Sequence, residues 1–191
     1  MILFFDTETN GLPINWGAHV SDVDNWPRML QLAFSVYDDD GKKIADRSYL
    51  VKPEGFEINP EAAAVHGFTM ERLKDGIPIE DVLFLFSQWL KKVDTIVAHN
   101  ISFDKAIVGS EFVRNGMAEV YEYITTLNKI CTMNSSTKYC AIPGPRGMKW
   151  PKLQELHIKL FEETFEGAHD AMVDVNALAR CYFELKKRNI L

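Results

Sequence analysis

The hydrophobic positions of this 191-residue chain fall into short blocks of two periods. Met1 to Phe5 is an unbroken apolar run of strand length, followed at once by Asp6-Thr7-Glu8 and a turn at Thr9-Asn10-Gly11. Such a run, closed by a turn signal, predicts a buried strand. Met29 to Tyr37 and Lys43 to Val51 predict two further strands joined at Asp38-Asp39-Asp40-Gly41, where the glycine and flanking strands account for the acids as a solvated hairpin tip. Asn59 to Gly67 predicts a short helix with a cap, a first-turn proline and a closing glycine. A second short helix follows, with Thr69 as its cap, and then an amphipathic helix over Glu80 to Val93. Thr95 to Ala98 reads as a short buried strand and Ile101 to Asn115 as a helix ending at Gly116. Lys129 to Met133 reads as a strand, with helices over Leu153 to Phe161 and Ala171 to Lys187. The order predicts a mixed sheet, begun by antiparallel strands, completed by alternating units and flanked by helices, all in one domain over residues 1–191.

Two segments interrupt the pattern. Leu12 to Arg28 holds Pro13, Gly17, Pro27 and the pair Trp16 and Trp26, both read as exposed, and reads as a long loop of the kind that often carries function. Ala141 to Pro151 is rich in glycine and proline and precedes Lys152.

Composition adds few constraints. The chain is 47% hydrophobic and 25% charged, ordinary for a globular protein, and no run is apolar enough to span a membrane. No leader is evident, and Cys131, Cys140 and Cys181 lack disulfide-framework or zinc-knuckle spacing; both features suit the reducing cytoplasm. The net charge of −6 disfavours a protein that coats nucleic acid non-specifically.

The chemistry is carried by acids. Alternation along a strand points Asp6 and Glu8 the same way, about 7 Å apart. Buried ionised carboxylates need a compensating charge, and a hard divalent cation with oxygen ligands suits them, although the pair also suits a strand ending at solvent. Asp104 stands one turn into the helix after the strand Thr95 to Ala98, just past a carboxyl end, where open α/β sheets place their sites; helix capping is its alternative role. His169 and Asp174 are five positions apart, about 140° around a helix, so they do not share a face. His169 is better placed on the loop before the helix, with Asp174 projecting from its second turn and Asp170 as a structural helix-start acid.

Together these segments resemble the DEDDh class of 3′–5′ exonucleases, the DnaQ-like family. Phe5 to Leu12 is similar to its first motif, His99 to Asp104 to its second and His169 to Asp174 to its third. His66-Gly67-Phe68-Thr69 and Lys152 to Leu156 resemble accessory segments. The resemblance implies a ribonuclease H-like α/β fold with a mixed five-stranded sheet. It implies that Asp6, Glu8, Asp104 and Asp174 hold two Mg²⁺ or Mn²⁺ ions around one phosphate, and that His169 acts as general base. The expected product is a nucleoside 5′-monophosphate, released from the 3′ end of single-stranded DNA or, alternatively, of RNA. A catalytically idle nucleic-acid-binding module is the reading of a different class, and the intact acids and His169 argue against it. Thr9, His66, Asn100 and Phe103 are expected to meet the terminal nucleotide. Equally, Phe103 suits the core and His66 a structural cap. Arg146, Lys149, Trp150 and Lys152 form a basic and aromatic cluster suited either to a strand of nucleic acid or to a solvated loop. His19, His99 and His157 are read as structural. The Leu12 to Arg28 segment is longer than in many family members, so substrate access is expected to differ. The chain also stops at Leu191 without the tail by which the proofreading subunit of bacterial DNA polymerase III holds its polymerase, which counts against a stable replicative role and leaves polymerase association open.

Overall fold

Strand β1 (Ile2–Thr9) is the axis of the molecule because it is apolar on both faces. Leu3 and Phe5 pack into one core and Phe4 into a second on the other side of the sheet. The computed structural model describes residues 1–191. Strands β2 (Met29–Tyr37) and β3 (Lys43–Leu50) extend the sheet from one edge of β1 as antiparallel neighbours. Strands β4 (Thr95–Ala98) and β5 (Asn128–Cys131) extend it from the other edge, each parallel to its neighbour. The result is the expected mixed five-stranded sheet, in the order β3-β2-β1-β4-β5.

The short helix α1 (Pro60–His66) has the foreseen cap: the Asn59 side chain accepts from the Glu61 amide, and Gly67 closes it at φ 71°. Thr69 caps α2 (Met70–Leu73) through a bond from the Arg72 amide. Helices α3 (Ile79–Leu90) and α4 (Ile101–Arg114) cover the face of the sheet that carries Leu3 and Phe5.

Three features were not foreseen. A helix α5 (Ala118–Thr126) fills the connection to β5. The strand expected to reach Met133 stops at Cys131, because α6 (Thr132–Cys140) begins there; Thr132 and Ser136 are buried on its inner face. The glycine- and proline-rich stretch forms a minute hairpin of β6 (Pro143–Gly144) and β7 (Gly147–Met148). Helix α7 (Leu153–Phe161) follows, and α8 (Ala171–Lys187) covers the opposite face of the sheet. Ala171, Val175, Leu178, Ala179 and Tyr182 of α8 pack there on Phe4, Ala33 and Val97. No helix is long and apolar enough to cross a membrane.

The alternation of β1 decides how the two faces share the chemistry. Even-numbered positions place Asp6 and Glu8 beyond Phe4, toward α8. Odd-numbered positions place Thr7 beyond Leu3 and Phe5, toward α4. The β1–β4 pairing ends at Phe4 and Val97, and α4 begins three residues after Ala98. The carboxyl end of β1 therefore has β2 on one side and no strand on the other, which leaves room for a cleft between α4 and α8.

Candidate active site

All nine residues expected at the site border two adjoining cavities at this end of the sheet. The smaller, of about 220 Å³, contains Asp6, Glu8, Asn100, Asp104, His169 and Asp174 in its wall. The larger, of about 430 Å³, contains Thr9 and His66, with Leu12 and Val65 supplying apolar wall. Thr7, Glu8 and Phe103 border both.

Each acid is delivered by a different local cause. Asp6 and Glu8 ride on β1, held by the ladder that pairs them with Ala33 and Gln31. Asp104 comes from the first turn of α4 and is buried; it does not cap that helix. Its Oδ1 instead accepts from the Thr7 amide at 3.1 Å and the Thr7 hydroxyl at 2.8 Å. Asp174 lies in the first turns of α8. Its Oδ2 accepts from the His169 amide at 3.0 Å, which ties the loop to the helix. His169 adopts a left-handed backbone, φ 71°, uncommon for a residue with a side chain and frequent where function fixes the chain. Ligand-type atoms of Glu8, His169 and Asp174 lie within 4.8 Å of one another. Asp170 caps α8, its side chain accepting from the Met172 and Val173 amides at 3.0 and 3.4 Å.

The electrostatics are unbalanced. None of Asp6, Glu8, Asp104 and Asp174 takes part in an ion pair with a lysine or arginine. Burial, and then the neighbouring carboxylates Asp104, Asp174 and Glu8, hold Asp6 well above the usual carboxylate range. Burial pushes Glu8 up to about 8, with Asp174 and Asp104 adding to it. Burial also pushes Asp104 up to about 7, although the Thr7 hydrogen bonds work in the opposite direction. Asp174 is raised by burial against the pull of the His169 amide. Four carboxyl groups that resist ionisation together form an all-oxygen donor set lacking positive charge, and this is the environment a hard divalent cation fits.

The other expected residues divide by their bonding. Nδ1 of His66 accepts from the Phe68 amide at 3.0 Å, so the proton of the neutral ring sits on Nε2, which has no hydrogen-bond partner. His66 thus closes the end of α1 and also borders the larger cavity. Thr9 donates its hydroxyl to the Gly11 carbonyl at 2.7 Å, shaping the turn. His99 borders the smaller cavity with both nitrogens engaged: Nε2 donates to the Pro151 carbonyl at 2.9 Å and Nδ1 accepts from Thr132 at 3.0 Å. The cluster Arg146, Lys149, Trp150 and Lys152 borders neither cavity, and Lys149 is neutralised by Glu155 at 2.6 Å. Its free positive charge is smaller than its composition suggests.

The exonuclease family model, that of the RNase T group, matches residues 3–182 of this chain. The chain belongs to the exonuclease family. No curated protein matches this exonuclease significantly in sequence. Among solved structures it is similar to E. coli exonuclease I in a zinc-bound complex with single-stranded DNA, at a TM-score of 0.75 and 21% identity. That match covers 98% of this chain and 40% of the other. Exonuclease I with a dT13 oligonucleotide gives 0.76 and 21%, covering 98% and 41%. A further exonuclease I structure gives 0.78 and 20%, covering 99% and 42%. These matches establish a shared fold, with the exonuclease described here spanning about two-fifths of the length of those chains.

Three positioning residues escaped the sequence reading. Thr7 lies inside the Asp-Thr-Glu run, where only the tertiary approach of α4 reveals its hold on Asp104. Asn10 bonds the Glu57 carbonyl at 2.8 Å and the Asn59 amide at 2.5 Å, which joins the end of β1 to the start of α1. Buried Gln31 accepts from the Ala171 amide at 3.0 Å and thereby seats the first turn of α8 on the sheet. Its polar side chain within the apolar run Met29 to Val36 was the available signal.

Proposed function

We propose that this exonuclease hydrolyses nucleic acid from its 3′ end and releases nucleoside 5′-monophosphates, with single-stranded DNA as the favoured substrate. The observation that carries the reading is the convergence of four uncompensated carboxyl groups and His169 on one cleft. The substrate form draws on E. coli exonuclease I, which has been crystallised with single-stranded DNA.

Asp6, Glu8, Asp104 and Asp174 would hold two divalent cations, Mg²⁺ or Mn²⁺. Bound there, such ions would neutralise the phosphate, favour an ionised water and stabilise the departing 3′ oxygen. Thr7 keeps Oδ1 of Asp104 engaged, so that carboxylate has one oxygen held and one free for a ligand. The His169 imidazole accepts the proton of the attacking water. The water oxygen bonds to phosphorus as the bond from phosphorus to the 3′ oxygen breaks, so the phosphate leaves on the 5′ side of the released nucleotide. The bond from the His169 amide to Asp174 keeps the loop, and with it the imidazole, beside the acids. Thr9, His66, Asn100 and Phe103, all on the cavity walls, would receive the terminal sugar and base. A cytoplasmic setting is consistent with three free cysteines, two of them buried.

The test is digestion of matched DNA and RNA oligomers, single- and double-stranded, with the label at the 3′ end and Mg²⁺ or Mn²⁺ supplied. Monophosphate release from single-stranded DNA ahead of the other three substrates is expected. Faster release from RNA would reassign the enzyme as an exoribonuclease, and cutting of a closed circular strand would show an endonuclease.

A further inference from the structure

The loop from Asn10 to Arg28 exposes apolar side chains beside the cleft, yet the loop itself is tightly built. Leu12, Ile14 and Trp16 are 72%, 85% and 58% exposed. Beneath them the backbone is closed by the Asn10 amide on the Arg28 carbonyl at 2.8 Å and the Ile14 amide on the Asn25 carbonyl at 3.1 Å. Buried Asn25 bonds the Asn15 amide at 2.6 Å and the Asn15 carbonyl at 3.0 Å. Trp26, read from the sequence as exposed like Trp16, is buried and donates to the His19 carbonyl at 3.2 Å. Arg114 of α4 donates to the Val23 and Trp26 carbonyls, and both Arg114 and Arg28 pair with fully buried Glu111 at 2.8 and 2.9 Å. A segment fixed at this many points does not need an exposed tryptophan for its own packing. Exposed apolar side chains beside a site, on a loop that does not need them for its own packing, mark a place where something binds.

The position of Trp16 indicates what that is. Its ring packs on Phe103 with centroids 5.7 Å apart and planes tilted by 41°. Phe103 borders both the cavity of the acids and the larger cavity of Thr9, Leu12 and His66. Trp16 itself lines neither cavity; its exposed ring is held next to both through Phe103, and the part of a strand that lies outside the two cavities is the part upstream of the scissile phosphate. We infer that Trp16 is a substrate-positioning residue, stacking on the base next to the terminal one, upstream of the scissile phosphate, in a single-stranded substrate. The inference rests on the exonuclease reading above. The chemistry suits the occupant, because every base presents a π-face and stacking on an aromatic side chain is tolerant of sequence. It also suits this chain, which with a net charge of −6 and Lys149 already paired has little cationic surface with which to hold a strand. Inside a duplex both faces of that base are covered by its stacked neighbours, so the platform selects unpaired ends.

The test compares two substrates with Mn²⁺. The methyl ester of thymidine 5′-monophosphate has no ring upstream of the scissile phosphate, whereas a dT tetramer has three bases there. Trp16→Ala is expected to leave KM and kcat for the ester unchanged and to raise KM for the tetramer about tenfold, the share of one stacked base. Trp16→Phe should stay near the wild type. A tetramer lacking the second base from its 3′ end should be bound by the wild type as weakly as Trp16→Ala binds the intact tetramer, with no further loss in the variant. Equal effects of Trp16→Ala on ester and tetramer, or none on either, overturn the inference while the exonuclease reading stands. A wild type that hydrolyses neither substrate overturns both.

Discussion

Thr7 grips Asp104 twice, through its amide at 3.1 Å and its hydroxyl at 2.8 Å, and both bonds end on the same carboxylate oxygen. The two residues are 97 apart in sequence, so this contact joins β1 to α4 at the point where the acids meet. Thr7→Val keeps the size and the amide bond but removes the hydroxyl. The expected result is a Mn²⁺ affinity lowered about tenfold, the lower end of what residues orienting metal ligands contribute. Calorimetric titration checks it, and Thr7→Ser should restore the affinity.

The raised carboxyls make a prediction about pH. In the folded chain Glu8 titrates at about 8 and Asp104 at about 7, against ordinary values of 4.5 and 3.8. The folded state therefore holds more protons than the unfolded state across that window, so these groups remove stability as the pH rises through it. In EDTA, the melting temperature of the wild type should fall between pH 5.5 and 8 by more than that of Glu8→Gln, which carries no charge to bury. Mn²⁺ should cancel the difference at pH 8, because the ion binds only the ionised folded site. Thermal melts at both pH values, with and without the ion, measure each arm.

Asp6→Asn and Asp104→Asn should abolish metal-dependent hydrolysis. In EDTA at pH 8 Asp104→Asn should melt above the wild type, since it removes a buried carboxylate, pushed up to about 7, that no lysine or arginine balances. Loss of activity with a lower melting temperature would instead mark Asp104 as structural.

His169→Ala should separate chemistry from ion binding. The rate is expected to fall roughly 10²–10⁴-fold, the usual share of a general acid or base. The amide that bonds Asp174 is backbone and survives the substitution, so Mn²⁺ affinity should change little. Single-turnover rates beside calorimetry provide the two readings.

Glu111 is fully buried and balances Arg28 and Arg114 together. Glu111→Ala should cost about 3–5 kcal/mol, because it leaves two guanidinium groups without a counter-charge beneath the Leu12 to Arg28 loop. Urea denaturation measures the cost. Limited proteolysis should then cut within that loop, where the wild type resists.

Much of this protein is determined by short-range pattern. The apolar runs of β1 and β2, the cap of α1 at Asn59, Pro60 and Gly67, and the amphipathic α3 follow from periods and caps that neighbouring residues impose on one another. The acids were legible for the same reason: Asp6 and Glu8 share a strand face by alternation, and Asp104 and Asp174 stand at helix starts. The helices α5 and α6 were not, because neither Met117 nor Cys131 caps its helix with a side chain and both helices are held by packing against α4, α7 and α8. Lys149 seemed free in the sequence and is paired by the fold, while Trp26, which resembled Trp16, is buried by it. Only tertiary structure could decide these, since the partners are distant in the chain: Thr7 with Asp104, Gln31 with Ala171, Arg28 with Glu111. A side chain's period and charge are written locally, but its burial and its hydrogen-bond partners are set by which segments the two faces of the sheet bring together.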